Sequence, residues 1–230
     1  MARRRIILFA LLGIASYLVT MLVTMPASVI VNNQPWRTGV AGTVWNGEVG
    51  VAGGSKLEWH MAPLRSLTSL AFAADWKANG PNTDLGGRML MHPGGRIVLD
   101  KVSGSADASL LQALQPNLPF TCDLTMQVQM DRIAIGGGTQ LLDGNLTTDP
   151  GSCRSKGAGA ASPLPALILT AEHIGNRTMI RLALMTQRRR TLLDATLSED
   201  GAVDLGVTPE GAVMMPFVGL PGGARIQGHM

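Results

Sequence analysis

Apolar and polar residues alternate with a period of two through most of the chain beyond its first thirty positions. In 56–61, Leu57, Trp59 and Met61 alternate with Lys56, Glu58 and His60. From 121 to 130, Cys122, Leu124, Met126, Val128 and Met130 point one way, and Thr121, Asp123, Thr125, Gln127 and Gln129 the other. Such runs predict half-buried strands of an antiparallel sheet. After Met130 the parity slips, because Ile133 and Ile135 are out of phase, which predicts a bulge near Asp131 and Arg132. Further strands are expected at 39–45, 70–77, 88–91, 96–102, 140–147, 166–172, 177–186, 190–197 and 202–207, most of them separated by Gly, Asn, Asp or Pro. Two short helices are expected at 108–115 and 209–218, the second with Thr208 as N-cap and Pro209 in its first turn. Shifted by 102 positions, 109–119 overlies 211–221, and both end in Leu-Pro. That is either a trace of two similar halves, 39–135 and 136–230, or coincidence. The stretch 149–165, rich in Gly, Ala, Ser and Pro, reads as a surface loop.

The N-terminus follows a different pattern. Ile6 to Met25 carries no charge, and twenty residues of helix rise about 30 Å, the thickness of a bilayer's hydrocarbon core. A cleaved signal peptide is the competing reading, but its apolar core is shorter, and Met25 and Pro26 stand where small residues would be needed for cleavage. Arg3, Arg4 and Arg5 precede the run and no lysine or arginine follows until Arg37, which places the N-terminus in the cytoplasm and the remainder outside it. The expected organisation is a cytoplasmic tip 1–5, a transmembrane helix 6–25, a linker 26–38 and an exported β-rich domain 39–230. Gly13, Ser16, Thr20 and Thr24 form one stripe along the span, which either admits another helix closely or faces lipid.

Composition narrows the function classes. Of 230 residues, 46% are hydrophobic and only 15% charged, so disorder is excluded for most of the chain. The net charge of +3 equals the three N-terminal arginines, which leaves the exported part neutral and without the basic face that nucleic acid requires. Two cysteines, Cys122 and Cys153, both lie on the exported side, where a disulfide is expected over two free thiols. His60, His92, His173 and His229 are scattered singly, so no metal is expected. The string 102–106 lacks the flanks of a nucleophile elbow, and Gly53, Gly54, Ser55 and Lys56 lack the full spacing of a phosphate loop. No cofactor and no catalysis are expected. Arg188 to Arg190, with Arg181 near, read as a solvated hairpin tip or as a contact for acidic partners or headgroups.

One segment carries a family likeness. Met25-Pro26-Ala27-Ser28, then 39–48 (GVAGTVWNGE), then 57–64 (LEWHMAPL) resemble protein N of the type II secretion system. The match falls on Pro26, Gly42, Thr43, Val44, Trp45, Gly47, Trp59, Pro63 and Leu64 and covers about the first 65 residues. Trp45 and Trp59 are expected to pack in one cluster. The resemblance implies a single-pass inner-membrane subunit with a periplasmic, antiparallel, curved sheet. Such a subunit is a non-catalytic scaffold or linker between the inner-membrane platform and the secretin, in contact with inner-membrane lipids. The alternative reading is a membrane-anchored periplasmic protein whose sheet cradles lipid or another hydrophobe, with some of the thirteen methionines lining the groove.

Overall fold

The computed structural model describes residues 2–29, 31, 37–51, 54–114, 117–157 and 160–229. The chain opens with α1 (Ala2–Val23), so the arginines belong to its first turns and the helix stops two residues short of Met25. A 3₁₀ turn at Ala27–Val29 leads toward β1 (Arg37–Gly42), β2 (Asn46–Val51) and β3 (Ser55–Met61). After α2 (Pro63–Ser69) come β4 (Phe72–Gly80), β5 (Thr83–Met91), β6 (Ile97–Asp107) and α3 (Ala108–Leu114). β7 (Phe120–Asp123) precedes β8 (Thr125–Ile135), β9 (Leu141–Thr148), β10 (Gly151–Ser155) and β11 (Ser162–Leu164). Next are β12 (Leu167–Ile174), β13 (Arg177–Leu184), β14 (Gln187–Ser198), β15 (Ala202–Val207), α4 (Pro209–Met214), a 3₁₀ turn Pro216–Val218, and β16 (Arg225–His229).

Thirteen strands form one antiparallel, curved meander in chain order, and β7, β10 and β11 leave it to form a second, three-stranded sheet. The register explains why the meander holds together. One row of opposed residues runs Val40, Val49, Leu57, Ala78, Leu85, Gly104, Val128, Leu146, Leu169, Leu182, Leu193, Val207. The neighbouring row, one residue along each strand and on the other face, runs Glu48, Glu58, Lys77, Gly86, Ser103, Gln129, Asn145, Thr170, Arg181, Asp194, Gly206, Arg225. The strands of the meander from β2 to β15 therefore each give one side to the apolar row and the other to the polar row, and a one-residue slip among them would break both rows. Where the apolar row crosses β6 it needs Gly104, at φ 133°, because a Cβ there would overlap the Asp84 carbonyl oxygen. The expected bulge is present: between Met130 and Arg132 the pairing of β8 with β9 shifts by one, leaving Asp131 extra.

Two structures cover the apolar face, both at the strand ends where β6 gives way to α3 and β15 to α4. Leu110 of α3 packs on Ala78, Leu85 and Ala106. The three-stranded sheet, with Met215 and Phe217, packs on Leu167, Leu184 and Leu192. The layout repeats, since α3 follows the sixth strand of the meander and α4 the twelfth. α4 has the expected start, with the Thr208 hydroxyl accepting from the Gly211 N–H at 3.0 Å. Gln115, the expected end of the other helix, lies outside the described residues.

Three expectations are corrected. The stretch 149–165 is no surface loop: its described residues build β10 and β11 and bury Cys153 and Leu164. The 121–130 alternation is two strands, because β7 pairs with β10 while β8 pairs with β6 and β9. A third short helix, α2, joins the two expected.

Asp107 gives α3 a pH-dependent cap. Its carboxylate accepts from the Ser109 hydroxyl at 2.5 Å and from the Ser109 and Leu110 N–H groups at 3.1 and 3.4 Å. Partial burial pushes its pKa up, but these hydrogen bonds, with one from Asn82, outweigh that and hold it below the ordinary value of 3.8. A carboxylate with a lowered folded pKa stabilises the fold above the unfolded value and loses that contribution as pH falls through the folded one. Asp107→Ala is expected to cost about 1 kcal/mol at pH 7. Urea midpoints of the two proteins should converge as pH falls below 3.8; a difference unchanged at pH 3 would remove the charge from the account.

Candidate functional site

The residues of the 42–59 part of the motif gather where α1 joins the sheet. Gly42 takes φ 86°, a left-handed value that suits glycine, and turns β1 toward β2. In the turn, the Thr43 N–H donates to the Asn46 carbonyl at 2.8 Å, and the Thr43 hydroxyl accepts from the Asn46 N–H at 3.2 Å. The same turn binds the end of α1. Pro26 forms a bridge to Thr43, the Val44 N–H donates to the Met25 carbonyl at 2.9 Å, and the Trp45 indole N–H donates to the Leu22 carbonyl at 2.9 Å. Leu22 lies in the last turn of α1 and Met25 just beyond it, where carbonyls run out of the regular i+4 partners, so the turn caps α1.

Trp59 completes the junction from β3. Its ring lies under Gly47, where a Cβ would overlap it, and its indole N–H donates to the Val44 carbonyl at 3.0 Å. Trp45 instead packs on Phe72, ring centroids 6.2 Å apart, and Phe72 faces a cavity that Trp59 also lines. The two tryptophans thus belong to one cluster joined through Phe72. The cavity, of about 320 Å³, is lined by Val31, Val44, Val49, Leu57, Trp59, Phe72, Met89 and Met91. Those side chains carry no charge, and the volume falls at the lower end of small-molecule sites, roughly 300–1,000 Å³. Phe72, Met89 and Met91 were not singled out from the sequence, although the Met-Leu-Met alternation of 89–91 already puts both methionines on one face.

The other predicted residues fall elsewhere. Cys122 and Cys153 are joined, Cα atoms 4.1 Å apart, and tie β7 to β10. Thr20 and Thr24 donate their hydroxyls to the Ser16 and Thr20 carbonyls at 2.9 and 2.8 Å, so both threonines are satisfied within their own helix, and the stripe with Gly13 and Ser16 is exposed. Pro63 opens α2, with Leu64 behind it. Arg4 is exposed on α1, whereas the side chains of Arg3 and Arg5 lie outside the described set, as does Gly53. Ser55 and Lys56 belong to β3, and 102–106 to β6. Arg188 to Arg190 are exposed in β14 just after its turn, and Arg190 pairs with Glu210 at 2.9 Å. Among the described residues, no three His, Cys, Asp or Glu side chains converge. Two of the larger hollows, of about 450 and 490 Å³, are lined by mixed polar and apolar residues around Asp107 and Asp194.

The helix window Ile6–Val23 has a mean hydropathy of 2.6, long and apolar enough to cross a membrane, and the disulfide indicates an oxidising compartment. Compared with protein-family models, curated proteins and solved structures, the chain gives no match.

Proposed function

We propose that this chain is a non-catalytic scaffold or linker subunit of a type II secretion system, anchored in the inner membrane with its N-terminus cytoplasmic and its sheet periplasmic. The observation that carries this reading is the junction itself. Four of the residues that resemble protein N of that system, Pro26, Thr43, Val44 and Trp45, are the ones that fix the anchor to the sheet. An anchor fixed to the first turn of the meander holds a broad surface at the membrane, which raises its effective concentration for neighbours in the same assembly. Its partners are then the inner-membrane platform and the secretin, with inner-membrane lipid around the span. Deleting the gene should leave exported substrates folded but retained in the periplasm, and crosslinking in intact cells should capture a platform subunit or the secretin. Normal secretion without such a crosslink would end this reading.

A second reading has its own observation, the 320 Å³ apolar cavity beside the anchor. A membrane-anchored hydrophobe carrier would hold a lipid chain there. Native mass spectrometry of gently extracted protein separates the two, because the carrier reading requires a co-purifying lipid whose yield falls in Leu57→Glu. Absence of such a lipid removes it.

A further inference from the structure

α2 is inside out. Its polar and small side chains, Arg65, Ser66 and Ser69, face the protein, while Leu64, Leu67 and Leu70 are 79, 73 and 82% exposed. The inward face is tightly fixed. The Ser66 hydroxyl donates to the Ala62 carbonyl and accepts from the Ala73 N–H at 2.9 Å, and Arg65 pairs with Asp75 at 2.6 Å. That pair neutralises the one charge in Pro63–Ser69, so α2 presents only Pro63, Thr68 and leucines outward. Leu70 sits at φ 49° and ψ 39°, a left-handed helix end where glycine is favoured. A leucine in that conformation, almost fully exposed, contributes nothing to the core.

The position of α2 says what covers the leucines. The Met61 N–H, two residues before α2, donates to the Trp45 carbonyl at 2.8 Å, and Phe72, two residues after Leu70, packs on the Trp45 ring. Trp45 in turn binds Leu22 in the last turn of α1. The leucines therefore lie one tryptophan away from the end of the membrane span, at the headgroup level where tryptophan is favoured. Both covers of the apolar face sit at the opposite strand ends, with α3 and α4.

We infer that α2 is a second membrane contact: Leu64, Leu67 and Leu70 enter the outer interface of the bilayer crossed by α1. A short helix with its apolar side outward and its charge neutralised inserts its apolar face about 5–10 Å into the headgroup and acyl boundary. The contact fixes the tilt and rotation of the sheet on the membrane and turns the 320 Å³ cavity, which Phe72 and Val44 line, toward the lipid. It rests on α1 being a retained span and is independent of the secretion partner.

The full chain is reconstituted in phosphatidylethanolamine and phosphatidylglycerol vesicles with a single environment-sensitive fluorophore at Leu67→Cys, Val213→Cys or Val19→Cys, the native cysteines being paired. Val213 is 81% exposed on α4 and serves as the aqueous reference. Lipids carrying nitroxide on the acyl chain should quench the labels at 19 and 67 several-fold more than the label at 213, with a blue-shifted emission at 67. Quenching at 19 with the label at 67 behaving like that at 213 overturns the inference and assigns the leucines to a protein neighbour. Lack of quenching at 19 overturns the span, and the inference with it. Leu64→Asp with Leu67→Asp, read by circular dichroism for retained folding, should lower quenching of a label at Thr68→Cys; unchanged quenching also counts against it.

Discussion

Replacing Cys122 and Cys153 together by alanine is expected to lower the unfolding free energy by about 3–4 kcal/mol, the loop-closure value for cysteines 31 positions apart. The bond joins β7 to β10 side by side, and Cys153 lies in the buried cluster with Leu164, Leu167, Leu184, Leu192, Met215 and Phe217. Without it the three-stranded sheet depends on two short ladders, on that cluster and on single hydrogen bonds such as the one from the Gln112 side chain to the Cys122 carbonyl. Urea unfolding of the detergent-solubilised protein, oxidised against the double variant, measures the loss as a lower midpoint. Free-thiol labelling of the denatured, unreduced wild type should find none. An unchanged midpoint, or two labelled thiols in material recovered from an oxidising compartment, would contradict the structural role given to the bond.

The apolar and polar rows were legible wherever strands are half-buried and long. In 126–130 the alternation is the row pattern itself, and the parity slip at Asp131 is the bulge. What was illegible has specific physical causes. The break at Leu124 leaves side-chain parity intact on either side, so periodicity could not reveal that β7 belongs to another sheet. β10 and β11 are short and rich in Gly, Ser and Pro, and they are held by pairing, β11 with β10 and β10 with β7, instead of by an apolar pattern. β2 has glycines at 47 and 50 where a strand pattern wants side chains, and Gly47 is required by the Trp59 ring beneath it. β16 lies on the sheet edge and is exposed along its whole length, so no burial pattern marks it. α2 turns leucines outward and serines inward, the reverse of the amphipathic pattern that a globular helix advertises.

The site was legible as residues and illegible as geometry. Gly42, Thr43, Val44, Trp45, Gly47 and Trp59 stood out in the sequence. Their shared task, holding the C-terminal end of α1, depends on hydrogen bonds from Val44 and Trp45 to residues about twenty positions earlier. Local spacing does not encode contacts of that range. The cavity likewise collects side chains from β2 to β5 with Val31 and Val44, which only the register aligns.

Trp59→Ala is expected to cost about 3–5 kcal/mol, the range for removing a large aromatic ring from a packed site. The ring separates Gly47 from the 320 Å³ cavity, so its loss enlarges a space that already lacks filling atoms. It also leaves the Val44 carbonyl without its indole donor, and Val44 is the residue whose N–H holds Met25. Trp59→Phe keeps most of the ring and loses only the hydrogen bond, for about 1 kcal/mol. Gly47→Val leaves the ring in place but drives a side chain into it, which should cost about 1–3 kcal/mol by overpacking. Urea midpoints should therefore fall in the order wild type, Trp59→Phe, Trp59→Ala, with Gly47→Val below wild type. Limited proteolysis should in parallel cut Trp59→Ala faster between Val23 and Asn46, because one tie between α1 and the sheet passes through Val44. A neutral Trp59→Ala would mean that Val44, Trp45 and the Pro26–Thr43 bridge hold α1 without the ring, and that the glycine at 47 answers to the β1–β2 turn.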